Sequence, residues 1–417
     1  MIFLYLLGTL GLCSVTAAPK STLIDEDSPR LAARNSIVLS AAWTASTLTP
    51  WVALLNSPNY VYSPLGVYMT LSMASFGANG AYKNSLKYLL QQIVDDQKTG
   101  MKVFIDHFQN FERTGLHMAN AFYVSPDISV RPEFKRTIEE RFGMTPRNLT
   151  RNVQMKEWCE YHSRRRLTNI INRRNLAPNK ALSFTNAAYF RNEWLQKFND
   201  LHTKQGTFHR EDGTKKRVPV MSVAGSFRYG EFKEFGATYV ELPFKRGKDD
   251  KPKVSMFIVL PDEEHGLAHV ERKFLNITAK IHEKYGNVKN VSIKLPKFSI
   301  TSDKIDLKSP LTHLNLGSLF DPFEANLTGI AEKPRIYFND VVQSSIILID
   351  EGGVEAASGT GCNEVQCESY EPLVPPCHPP APRPEYIPFV ADRPFYVIIG
   401  TTEELNSVDV FVARFNG

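Results

Sequence analysis

Cysteine and histidine are the side chains best suited to covalent or metal chemistry, and this chain gathers several in one place. Cys362, Cys367 and Cys377 share one stretch, with His378 directly after the last. Thiolates with an imidazole can hold a soft metal, or thiols can pair as disulfides. The adjacent pair Cys377-His378 fits no established zinc spacing, so we expect a disulfide among Cys362, Cys367 and Cys377 and no metal site. Other chemistries leave no trace: the chain lacks a phosphate-cradling Walker loop, a His-Glu-x-x-His helix and a Gly-x-Ser-x-Gly elbow. Neither catalytic residues nor a cofactor are expected.

These cysteines belong to a longer stretch, Asp350 to Phe395. It opens after the strand-like run Ser345–Ile349 with acids and glycines, passes through the small residues Ala356–Gly361, and becomes proline-dense before the apolar run Phe395–Ile399. Glycine and proline at this density exclude a helix or a central strand, which leaves a long exposed loop. Loops of this length in a compact chain are usually functional or disordered. The function that suits an exposed, cleavable stretch is that of bait for a protease.

The elements that present this loop follow from the rest of the chain. Its 417 residues are 42% hydrophobic and 22% charged, the composition of a globular protein with a large core. Residues 1–17 read as a secretory signal peptide, an apolar run ending Val15-Thr16-Ala17, with the mature domain spanning 18–417. Cys13 leaves with the signal, so Cys159 joins the three loop cysteines, and all three full pairings stay open. Secretion makes the sequons at Asn148, Asn276, Asn290 and Asn326 glycan candidates. The net charge of +5 is concentrated: thirteen Lys/Arg stand against five Asp/Glu between Arg131 and Lys180. With Lys83 and Lys87, the runs Arg164, Arg165, Arg166 and Arg173, Arg174 are expected to bind a heparin-like polyanion or an anionic membrane surface. No platform of interleaved aromatics accompanies them, which argues against nucleic acid.

In chain order, helical spacing is read over Ala33–Leu55, Leu65–Phe76, Tyr82–Val94, Met101–Phe111, Pro132–Phe142 and Met155–Ile171. Strand character is read over Asn59–Tyr62, His117–Val124, Leu182–Phe190, Lys216–Met221, Thr238–Pro243, Val254–Leu260, Val291–Leu295, Ser344–Ile349, Phe395–Gly400 and Val408–Arg414. Gly266–Tyr285 interrupts the strands with helical character. Early helices followed by many non-alternating strands describe one α+β domain with large mixed or antiparallel sheets.

Several of these segments, in order, resemble the serpins. The motifs are Asn59–Leu65 (NYVYSPL), Gly77–Gly80 (GANG), Thr185–Trp194 (TNAAYFRNEW), Glu241–Phe244 (ELPF), Ser255–Pro261 (SMFIVLP), Leu295–Phe298 (LPKF) and Phe389–Phe395 (FVADRPF). The resemblance implies a single serpin-type domain: a monomer with surrounding helices and an exposed reactive-centre loop, about residues 351–388. Glu351, Gly352, Gly353, Val354, Glu355, Ala356, Ala357 and Ser358 are similar to the family's hinge. There, a protease cuts the loop through its serine nucleophile, and the hinge then inserts into the large sheet as a new strand. Small residues suit such a segment, because a packed sheet tolerates little added volume. Alternation puts Val354, Ala356, Ser358 and Thr360 on one face.

The same resemblance places Ser63, Asn186 and Gln343 in a polar cluster beneath the sheet and Trp194 near the point where the loop enters. Gln343 stands where the family keeps a histidine, and Gly66 where it often keeps a serine. Beyond Thr360, Cys362 and Glu364 would face inward, and a loop disulfide would resist extension, so inhibition is expected to be partly or wholly reversible. The scissile bond is open among Cys367, Glu368, Tyr370 and Arg383. The Cys/Pro-rich loop also resembles salivary anticoagulant serpins of blood-feeding mosquitoes, which implies coagulation factor Xa as target. The alternative function is that of a non-inhibitory serpin acting as a binding or carrier protein.

Overall fold

The computed structural model describes residues 28–55, 58–91, 101, 115–148, 157–158, 160–161, 181–245, 253–263, 266–332, 336–354, 385–402 and 407–417. The expected signal peptide, all but the first residue of the helix expected at Met101–Phe111 and most of Met155–Ile171 lie outside these residues.

Helix α1 (Ser28–Leu55) begins five residues before the periodic stretch. Its Ile37–Leu55 segment is apolar enough to cross a membrane, yet most of that segment is buried against the rest of the chain, as a core helix is. After β1 (Tyr60–Tyr62), α2 (Pro64–Gly77) starts with proline in its first turn, and the Ser63 hydroxyl accepts from Gly66 N at 3.1 Å. That cap satisfies a donor the helix cannot pair internally. Nearly every residue of α2 is buried, so it forms the spine of the core.

Amphipathic α3 (Ala81–Leu89) and β2 (Leu116–Val124) follow. Helix α4 (Pro132–Phe142) stops at Gly143, whose φ of 63° closes the last turn. Then come β3 (Arg147–Asn148), β4 (Ala181–Phe190), β5 (Asn192–Glu193), β6 (Lys204–His209), β7 (Lys215–Phe232), β8 (Ala237–Pro243) and β9 (Val254–Pro261). Short helices α5 (Gly266–Arg272) and α6 (Phe274–His282) lead into β10 (Asn287–Pro296), β11 (Phe298–Asp306) and helix α7 (Lys308–Leu311). Strands β12 (Tyr337–Ile349), β13 (Gly353–Val354), β14 (Ile387–Val390), β15 (Phe395–Thr401) and β16 (Asp409–Phe415) complete the order.

The strands form two sheets. A nine-stranded sheet runs β1-β16-β15-β9-β8-β7-β10-β14, with β6 beside β7. A seven-stranded sheet runs β3-β2-β4-β12-β13-β5, with β11 beside β12. In the second sheet β4 and β12 are parallel neighbours, paired from Tyr337–Ala181 to Ile346–Tyr189. In an otherwise largely antiparallel sheet this seam is parallel, a geometry in which an antiparallel strand placed between the two would pair on both sides.

Three strands are at least twice as long as the sequence reading. The six residues expected at Lys216–Met221 are part of the 18-residue β7, the six at Ser344–Ile349 are the end of the 13-residue β12, and the five at Val291–Leu295 are part of the ten-residue β10. Pro219 does not end β7, because its carbonyl still accepts from Lys297 N at 2.8 Å.

Candidate functional site: the hinge wedge and the sheet seam

The described chain ends one side of the long loop at Val354 and resumes at Glu385. Expected as the exposed start of the loop, Glu351–Val354 is instead folded into the sheet. The chain reverses over Asp350–Gly353: Asp350 Oδ1 accepts from Gly352 N at 2.9 Å and Gly353 N at 3.1 Å, and Asp350 N donates to Gly353 O at 3.0 Å. A short acceptor side chain two residues before a glycine pair is a turn-forming arrangement. It brings Val354 back against Ile349 of β12 on one side and Asn192 of β5 on the other. Both Gly353 and Val354 are buried. A Cβ on Gly353 would lie 2.1 Å from the Asn192 carbonyl oxygen, so this close backbone approach requires glycine.

Trp194 holds the wedge from the side. Its indole Nε1 donates to Asp350 O at 2.8 Å, and its backbone N donates to Gly352 O at 3.0 Å. The ring is stacked on Phe244 with centroids 4.8 Å apart and meets Phe198 edge-on at 6.1 Å. Phe198 N in turn donates to Glu351 O at 3.1 Å.

The Glu351 carboxylate accepts from Thr203 Oγ1 and from Lys297 Nζ, each at 2.7 Å. Burial pushes its pKa up, but the hydrogen bonds from Lys297 and Thr203 outweigh it and hold the carboxyl below its ordinary range. The hydrogen bond that Lys297 donates to Glu351 raises the pKa of Lys297 in turn.

A second polar group lies lower in the seam. Gln343 is 1% exposed and is the register partner of Asn186 across the parallel pair. Gln343 Nε2 donates to Asn186 Oδ1 at 2.9 Å and to Ser63 O at 2.8 Å, while its Oε1 accepts from Ser63 N at 2.7 Å. Asn186 Nδ2 donates onward to Asn120 Oδ1 at 2.7 Å, and Asn120 is its register partner on β2. An amide ladder thus crosses three strands and is fastened to the start of α2.

Of the residues singled out in the sequence, Ser63, Asn186 and Gln343 meet in one cluster. Trp194 lies apart from it, where the loop leaves the sheet, with Glu351, Gly352, Gly353 and Val354. Glu355, Ala356, Ala357 and Ser358, the scissile candidates Cys367, Glu368, Tyr370 and Arg383, and the cysteines Cys362 and Cys377 lie outside the described residues, as do Arg164, Arg165, Arg166, Arg173 and Arg174. Lys83 and Lys87 are exposed one turn apart on α3. Asn148, Asn276 and Asn290 are exposed, while Asn326 is half-buried and accepts from Thr328 Oγ1 at 2.9 Å. Among the described residues no group of three His, Cys, Asp or Glu is placed to hold a metal ion.

Sequence reading counted Asp350 in the hinge stretch but assigned no role to Thr203, Lys297 or Asn120. Lys297 sits inside the recognised LPKF motif, so it carried a signal. Thr203 carried none.

The site thus joins a parallel seam, a short strand begun at its upper end and a tryptophan-clamped turn. A profile of the family described as Serpin (serine protease inhibitor) matches residues 45–416, and the chain belongs to this family. Among curated proteins it is 26% identical over 324 residues to human neuroserpin, covering 73% of this chain and 76% of that one. It is 27% identical over 360 residues to Iris of the tick Ixodes ricinus, covering 82% and 88%. Among solved structures, Serpin48 of the insect Tenebrio molitor, described as a highly specific serpin, superposes with a TM-score of 0.73 at 26% identity, covering 95% of this chain and 100% of that one. Native protease nexin-1, solved with heparin, shares the fold with a TM-score of 0.76 at 21% identity, covering 92% and 100%.

Proposed function

We propose that the protein is a secreted inhibitor of a trypsin-like or chymotrypsin-like serine protease, acting through the loop between Val354 and Ile387. The observation that carries this reading is the wedge: Gly353 and Val354 already occupy the place of a strand between β12 and β5. The protease's serine attacks a carbonyl in the loop, the scissile peptide bond breaks with its protonated amine leaving as a new amino terminus downstream, and the hinge, now ester-linked to the protease, extends along the seam. Continuing the Ile349–Val354 pairing brings Ala356, Ser358 and Thr360 level with Ile347, Ser345 and Gln343. The buried Ser345 hydroxyl has no hydrogen-bond partner among the described residues, and Ser358 would supply one. Past Thr360 the inward positions pass to Cys362 and Glu364, which disfavour further insertion. Insertion therefore stalls near the Gln343 rung, and inhibition is reversible in part.

Factor Xa is the first target to examine, given the loop's likeness to mosquito anticoagulant serpins, with trypsin and chymotrypsin beside it. The exposure of Lys83 and Lys87 supports a surface for a heparin-like polyanion or an anionic membrane, and the exposure of Asn148, Asn276 and Asn290 supports glycosylation there. Incubation with each protease should abolish the activity of at least one, with little SDS-stable complex on a non-reducing gel. A stoichiometric covalent band contradicts reversibility, and full activity of all three contradicts inhibition of these enzymes.

A non-inhibitory binding or carrier protein is the second reading. It is favoured by a cleft of about 220 Å³ whose lining joins Arg228, Glu241, Lys253 and His282 to Phe244 and Phe257. A carrier has no need of an insertion-competent hinge, and its heat stability would not change when the loop is cut.

A further inference from the structure

Asn290 stands where the described chain returns to the sheet after the loop. In β10 the side chains of Val291 and Ile293 are buried, so strand alternation puts Asn290, Ser292 and Lys294 on the outer face. Strand β14 runs parallel to β10, with Val291 opposite Ile387 and Ser292 opposite Pro388. Phe389 is buried and Pro388 exposed, so one step back along this register sets Tyr386 level with Asn290 on the outer face. Tyr386 is 38% exposed and directly follows Glu385, where the described chain resumes.

The amide of Asn290 is also oriented. Its Oδ1 accepts from the hydroxyl of Ser226, its register partner on β7, at 3.2 Å. Oδ1 and Nδ2 diverge from one carbon, so an oxygen turned to β7 leaves the nitrogen turned to β14 and Tyr386. That nitrogen has no hydrogen-bond partner among the described residues. Asn290-Val291-Ser292 is a sequon, and Nδ2 is the atom that takes the sugar. Of the other exposed sequons, Asn148 lies on β3 in the second sheet and Asn276 on α6, neither beside a strand that ends the loop. Asn326 is half-buried, with its Nδ2 only 3.5 Å from where a Cβ on Gly80 would stand.

We propose that Asn290 carries an N-linked glycan whose first N-acetylglucosamine packs on the ring of Tyr386, and that this glycan limits protease access to the C-terminal foot of the loop. The donor is a lipid-linked diphosphate oligosaccharide. Its sugar C1–O bond breaks, a C1–Nδ2 bond forms, and one amide proton and the lipid diphosphate leave. The apolar face of a sugar ring lies well against an aromatic ring, and Tyr386 presents one at the position the nitrogen faces. Exposed loop ends are preferred places of proteolytic nicking, so a bulky group here decides which enzymes reach the chain.

This inference rests on the reading of the protein as a secreted inhibitor, and its test keeps the two separable. The full chain is produced in eukaryotic secretory cells with mannose trimming blocked, and each sequon is scored by peptide mapping. Asn290 should be occupied. A bare Asn290 in the secreted protein overturns the proposal alone, whereas a chain that stays in the cell without glycans overturns the secreted reading with it.

The second measurement is the rate of cutting after Glu385 by a glutamyl endopeptidase, read by mass as a new amino terminus at Tyr386. This enzyme has neither trypsin-like nor chymotrypsin-like specificity, so the cut reports access whether or not the protein inhibits such proteases. Asn290→Gln and Ser292→Ala each abolish the sequon, and both should be cut several-fold faster than the glycosylated protein. Equal rates overturn the shielding. Endoglycosidase H then leaves only the first N-acetylglucosamine, and slowed cutting should persist. A trimmed protein cut as fast as Asn290→Gln overturns the contact with Tyr386. Shielded cutting in a protein that inhibits no protease overturns the inhibitor reading and leaves the glycan's role standing.

Discussion

Replacing Trp194 by alanine is expected to destabilise the protein by about 3–5 kcal/mol, the range for a fully buried large aromatic, and to free the hinge. The side chain is 1% exposed and stacks on Phe244 across the bridge that joins β5 to the end of β8. Truncation leaves a cavity beneath the turn and strips Asp350 O of its indole donor. Trp194→Phe separates the two contributions, since it keeps most of the packing and loses the Nε1 hydrogen bond. The phenylalanine variant should recover most of the melting temperature while limited proteolysis still cuts near Gly352. If both variants remain as resistant as the parent, Trp194 does not clamp the hinge.

Reversing the charge of Glu351 has the next largest effect. The carboxylate is 10% exposed, whereas Lys297 is 46% exposed, so the pair is neither fully buried nor a surface pair. Glu351→Lys sets two cations side by side and orphans Thr203. The expected loss is about 2–3 kcal/mol, between the roughly 3–5 kcal/mol of a broken buried pair and the ~1 kcal/mol of an exposed one. Glu351→Gln, which keeps the hydrogen-bond acceptor, should lose less.

The same contact fixes a pH dependence. The folded carboxyl titrates below its ordinary value of 4.5, so its contribution is complete above that value and is lost as pH falls through the depressed one. Lys297 is raised above 10.5, so its contribution holds below that value and is lost as pH rises beyond it. Protease resistance of the hinge should therefore be flat across neutral pH in the parent. The acid loss should shrink in Glu351→Gln. An acid profile identical in the two proteins contradicts the assignment.

Much of this arrangement was legible in the sequence where a local rule applied. Pro132 and Gly143 delimit α4 by their own backbone preferences, and its bounds were read correctly. The cluster of Ser63, Asn186 and Gln343 was named from family motifs, and the structure supplied what motifs cannot, namely the hydrogen bonds by which Gln343 grips both Ser63 and Asn186. Strands β6 and β11 escaped because KQGTFH and FSITSDKID carry charged and small residues through their length. They are strands because neighbours offer a ladder, β7 to the first and β12 to the second. The folded hinge escaped for the same reason on a longer scale. A run of acids and glycines reads as loop, and its burial depends on Asn192, Trp194 and Phe198, over 150 residues earlier in the chain.

The central claim is that the sheet is built to accept the chain's own hinge as a further strand. The measurement that tests it most directly is the melting temperature of the full chain before and after a single cut on the C-terminal side of Thr360. With Gly353 and Val354 already seated, the released hinge should extend along the seam, and the cut protein should melt at a clearly higher temperature than the intact one. A melting temperature that stays the same or falls on cleavage would contradict the claim.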